Sequence, residues 1–171
     1  MNKNILLNVK ILILSLIFPA ILFAAQGDLD ITFNPAGTPP GTRTTTIGTF
    51  AQSNGLALQS DGKIVAIGTV IIGGVTQFAV VRYNITGSLD TSFNSAGPIP
   101  GVQTTAIGTN SFANKVVVQS DGKIVVAGRS ILGVDSRIAV ARYNTDGSLD
   151  TTFNSSGLTP GVQITPLGTY S

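Results

Sequence analysis

From residue 27 onward, apolar and polar positions alternate with a period of two, the pattern of half-buried strands rather than of helices. KIVAIG and KIVVAG (63–68 and 123–128), and FAVVRY and IAVARY (78–83 and 138–143), are rich in the β-branched and aromatic residues that suit a pleated surface. Ser-Asp-Gly stands before two of these runs, at 60–62 and 120–122. Asp tolerates a tight turn there and Gly supplies a positive φ. Over residues 87–146 the pattern predicts four strands: a first at 102–107, a second at 113–119, a return at 123–127 and a fourth at 138–143. Turns are expected at 120–122 and 144–147, with a loop around Gly133 and no helix in the unit.

The same pattern recurs at a fixed interval. GDLDITFN, GSLDTSFN and GSLDTTFN begin at residues 27, 87 and 147, and QSDGKIV begins at 59 and 119, so the period is 60 in each case. A period of this length marks one supersecondary unit stacked on copies of itself. Two full copies, 27–86 and 87–146, and a partial third, 147–171, follow from it. Four antiparallel strands and a connector per unit are the make-up of a β-propeller blade. The expected fold is therefore all-β, with propeller-like four-stranded blades of 60 residues in an incomplete ring. Such blades usually close rings of four to eight, so the array is expected to belong to a longer gene product, to self-associate until the stack is complete, or to stand as a short open stack.

Residues 1–25 are of a different kind. Lys3 and Lys10 precede an unbroken apolar run, ILILSLIFPAILFAA, which ends in small residues before Gln26. This is the form of a secretory signal peptide, expected as an N-terminal hydrophobic helix, and an uncleaved membrane anchor is the alternative. Without those two lysines the remaining eight basic residues balance the eight aspartates, so the net charge is about zero. A neutral chain offers no clustered positive surface to nucleic acid, and none to a membrane once the signal is removed. The chain has no Cys, so an exported form stands on sheet packing without disulfides.

The residues QSDGKIVVAG and IAVARYNTDGSLDTTFN, repeating every 60 positions, resemble the delta-60 repeat family of bacterial secreted and surface proteins. The resemblance covers nearly everything from Gly27 onward. It implies a β-propeller-type repeat of unknown function and brings no catalytic or binding residues with it. Members of that family commonly carry many more copies, which again puts ring closure by this chain alone in question.

Candidate chemistry is narrow. Without His, Cys or Glu there is no Ser-His-Asp triad, no Cys-His pair and no conventional zinc site. Asp30, Asp90 and Asp150 recur at the period beside Phe33, Phe93 and Phe153. A catalytic site breaks repeat symmetry, whereas a feature of every blade serves the blade. These aspartates are therefore expected to accept backbone N–H bonds while each Phe plugs a blade interface. Arg82 and Arg142 are expected to pair with a nearby Asp in each blade. Asn144-x-Asp146-Gly147-x-x-Asp150 resembles a Ca²⁺ loop, but the earlier copy has Thr86 in place of Asp146 and a plain turn accounts for both.

Specificity belongs where copies differ. Phe50 becomes Asn110 and Tyr170, Arg43 becomes Gln103 and Gln163, and Thr69 with Gln77 become Arg129 with Arg137. Arg129, Asp135 and Arg137 are thus expected to form a charged ligand loop. The function expected from all this is a non-catalytic, exported interaction scaffold, secreted or at the cell surface, binding a protein or glycan without a cofactor. The alternative is a propeller enzyme, a lyase or glycosidase, whose site lies in further blades.

Overall fold

The computed structural model describes residues 27–166. The expected signal segment and N-terminal helix lie outside the described residues. Eight strands form two sheets. The first contains β1 (Phe50–Leu58), β2 (Ile64–Ile72), β3 (Val75–Tyr83) and β4 (Val102–Thr105); the second contains β5 (Asn110–Val118), β6 (Ile124–Leu132), β7 (Asp135–Tyr143) and β8 (Val162–Pro166). In both, sheet order is chain order and every pairing is antiparallel. No helix and no closed ring occurs among the described residues.

The Ser-Asp-Gly turns form as expected: Gly62 and Gly122 have φ of 82° and 81°, and Lys63 and Lys123 donate their N–H to Asp61 and Asp121 at 3.1 Å. The grouping of strands differs from expectation. The strand at Val102 is the last of the first sheet, not the first of the second. Likewise, the third sequence copy starts no sheet of its own among the described residues, because Val162–Pro166 closes the second. The reason lies in the connector. After β3 the chain crosses Asp90–Gly101 and returns beside β3, where the Arg82 N–H meets the Gly101 carbonyl at 3.0 Å and satisfies backbone groups that an edge would leave open. Pro166 is tolerated because β8 is itself an edge.

One face of each sheet points toward the next unit along the chain; this is called the front. The core is a single apolar layer in which the front of the first sheet (Val65, Ile67, Phe78, Val80) meets the back of the second (Ile124, Val126, Ala139, Ala141, Tyr143), with Phe93 inserted between them. Ile47, Val70, Ala79, Val81 and Val102 form a smaller cluster on the back of the first sheet.

Candidate functional site

The recurring residues prove to be joints. Asp90 accepts Arg82 Nε at 2.7 Å, the Ser92 N–H at 3.1 Å and the Ser92 hydroxyl at 2.6 Å. Arg82 then spans to the next unit, giving Nη1 to the Thr145 carbonyl at 2.6 Å, while its guanidinium lies 4.7 Å from the centre of the Phe93 ring. Asp150 repeats the arrangement with Arg142 Nε at 2.7 Å, Lys123 Nζ at 2.8 Å and Thr152. Asn34, Asn94 and Asn154 follow each Phe in the left-handed region, with φ of 44°, 47° and 48°. Their side-chain amides hold the carbonyls of Thr42, Val102 and Val162 at 2.6–2.7 Å. The backbone N–H of Asn34 reaches the Thr86 carbonyl, and that of Asn94 the Asp146 carbonyl, so the first two connectors each lock onto the turn of the following unit. That is structural work, since it joins one unit to the next.

These contacts set a pH response. Burial disfavours the charged form of Asp90, but the Ser92 hydrogen bonds and the Arg82 guanidinium outweigh it and hold the carboxyl below its ordinary value of 3.8. The Lys123 ammonium, with Thr152 and Arg142, holds Asp150 well below the usual carboxylate range. A group whose pKa is lower folded than unfolded contributes stability that is full above its unfolded value and lost as pH falls through the folded one. Thermal midpoints should be level from about pH 7 to 5 and fall steadily below about pH 4. A midpoint at pH 2.5 equal to that at pH 6 would contradict this.

Arg129, Asp135 and Arg137 do not form the expected cluster. Arg137 Nη2 meets Asp135 at 3.2 Å, but Arg129 stacks over the Phe112 ring, 4.2 Å from its centre, with no carboxylate in ion-pair reach among the described residues. Register explains the split. Arg129 pairs with Ile138 and Ser130 with Arg137, so the two arginines stand on opposite faces of the sheet. The Asn144–Asp150 stretch is a turn in which Asp146 accepts the Ser148 N–H and hydroxyl. Among the described residues no three carboxylates gather to hold a metal ion.

Positions that differ between copies do converge elsewhere. A cleft of about 290 Å³ opens between the sheets, lined by Phe50, Gln52, Asn54 and Thr69 from the first and Phe112, Asn114 and Arg129 from the second. Five of these seven come from three pairs that differ across one period: Phe50 against Asn110, Gln52 against Phe112, and Thr69 against Arg129. Asn54 and Asn114 sit at a β-bulge in β1 and β5, where each is the extra, unpaired residue. Phe50, Thr69 and Arg129 stand out in the sequence as differing positions, whereas Phe112 does not enter that set. The change from Gln52 to Phe112 was visible in the sequence, although nothing there showed that β1 of one unit faces β5 of the next. A larger cleft, about 500 Å³, lies between the two Ser-Asp-Gly turns. It is lined by Lys63 and Arg82, which already serve Asp61 and Asp90.

Residues 59–93 and 119–153 each match a family model described as a β-propeller domain of unknown function (DUF5122). The chain is thus similar to a propeller-type repeat family over the hairpin and the Asp–Phe joint. Phe50, Gln52, Asn54, Phe112 and Asn114 fall outside the matched segments. No curated protein matches the chain, and no solved structure does.

Proposed function

We propose that the chain is a delta-60-type repeat protein, exported by its N-terminal leader, and that it acts outside the cell or at its surface as a non-catalytic interaction scaffold. Its ligand is a protein or glycan that presents an acidic group to the Phe50–Phe112–Arg129 cleft. The observation that carries this reading is the convergence of non-repeating residues on one cleft while the repeating polar residues hold the blades together. A cleft with two aromatic rings, amide donors and a guanidinium that has no carboxylate partner among the described residues suits a sugar ring or short peptide carrying a carboxylate. Its size fits one such unit rather than a long chain. No carboxylate lines it, so the acid–base pair that a glycosidase requires is not placed there.

The test is retention of the exported chain on beads bearing an acidic polysaccharide, compared with a neutral one. Arg129→Ala and Phe112→Ala should each weaken retention on the acidic beads by about tenfold, the loss of one charge-assisted contact or one aromatic face. Equal retention on both supports, or no effect of either substitution, would overturn the ligand assignment.

A further inference from the structure

Among the described residues the two sheets carry matching surfaces that meet once, where the front of the first packs on the back of the second. On the front of the first sheet Val65, Ile67, Phe78 and Val80 are at most 1% exposed. One period on, Val125, Ala127 and Val140 are only half-buried and Ile138 is 44% exposed. Phe93 is fully buried and Phe153 is not. The reverse holds on the backs. Ile124, Val126 and Tyr143 are fully buried by the first sheet, whereas Ile64, Ala66 and Tyr83 are half-buried beside a cleft of about 340 Å³ lined by Ala66, Tyr83 and the preceding Arg43, Thr45 and Ile47.

We propose that the front of the second sheet takes the back of the first sheet of another copy of this chain, building a head-to-tail assembly. The occupant is identified by the internal joint, which is the same pair of surfaces already in contact. Its polar contacts have counterparts at the free front: Asn54 Nδ2 reaches the Ala113 carbonyl at 2.7 Å and Arg82 Nη1 the Thr145 carbonyl at 2.6 Å, and Asn114 and Arg142 stand one period later. Acceptors at the free back are the corresponding carbonyls of Ser53 and Ile85. Residues 42–47 already lie there as the fourth strand of a preceding unit would: Thr45 meets Tyr83 at 2.7 Å as Thr105 meets Tyr143 at 2.8 Å. In the assembly this segment and the neighbour's β8 compete for the edge of the neighbour's β7, and one of them yields. Ala127 and Ile138 are smaller than Ile67 and Phe78, so the joint between copies is weaker than the internal one. A surface used this way is heterologous, and it builds chains or a closed ring rather than an isolated symmetric pair.

The assembly needs no ligand; Arg129 lies on the same front, cross-strand from Ile138, so the test reads mass and not retention on beads. Light scattering on the chain purified from an exporting host should give a mass that rises with concentration above that of one copy, either as a ladder or to one closed oligomer. Ile138→Lys disables the front and Ala66→Lys the back; each alone should be a folded monomer by circular dichroism and light scattering. Mixed in equal amounts they should form a dimer and nothing larger, because one intact joint remains per pair. A wild-type chain that stays monomeric at every concentration would overturn the proposal. So would association that survives either substitution, or a mixture that remains monomeric while the wild type associates.

Discussion

Phe93→Ala should destabilise the chain by about 3–5 kcal/mol, the range for emptying a buried aromatic site, while Phe153→Ala in the same motif should cost only about 1 kcal/mol. Phe93 is wholly enclosed between the sheets, with the Arg82 guanidinium on its ring. On its other side Gly147, at φ +90°, comes so close that a Cβ would stand 2.9 Å from the ring carbons. The void left by alanine cannot collapse, because both sheets are held apart by other packed side chains in the same layer. Phe153 has the equivalent arginine, at 4.9 Å, but it remains partly exposed to solvent. Urea unfolding of both variants, at concentrations below any association between copies, measures the difference. Equal costs would mean that Phe93 is not the plug between the units.

Asp90→Ala should be as damaging, about 3–5 kcal/mol, because it leaves the Arg82 guanidinium buried without its anion. Both side chains are 7% exposed, and the 2.7 Å contact fixes the arginine that reaches across to Thr145. Lys63, at 3.7 Å from Asp90, cannot compensate, since it is also positive. The double variant Asp90→Ala/Arg82→Met should recover much of the loss, because it removes the stranded charge and keeps an apolar stem over Phe93. Thermal melts of the single and double variants decide the matter. A double variant no better than Asp90→Ala would show that the arginine matters chiefly for packing.

How much of this was legible beforehand depends on the range of the interaction. The Ser-Asp-Gly turns, the paired strands around them and the role of Asp90 and Asp150 as blade parts follow from residues within a few positions of each other. The candidate site was only partly legible. Phe50 and Arg129 stand out because copies differ there, but closeness in sequence puts Arg129 together with Arg137. The register of β6 on β7 sends them to opposite faces, and that register is fixed by the geometry of the turn at Gly133. Phe112 joined the site only through the approach of β5 to the first sheet.

By itself the sequence determined the unit: its 60-residue period, its four strands, its turns and the joint residues, all set by alternation and turn chemistry acting locally. The tertiary structure decided what identical residues experience. It assigned the Val102 strand to the sheet before it, because a free β3 edge needs a partner. It also enclosed Phe93 and left Phe153 open, because burial depends on which surface arrives from the neighbouring unit. A repeat writes the same residues into every copy, but only stacking determines which copies are covered.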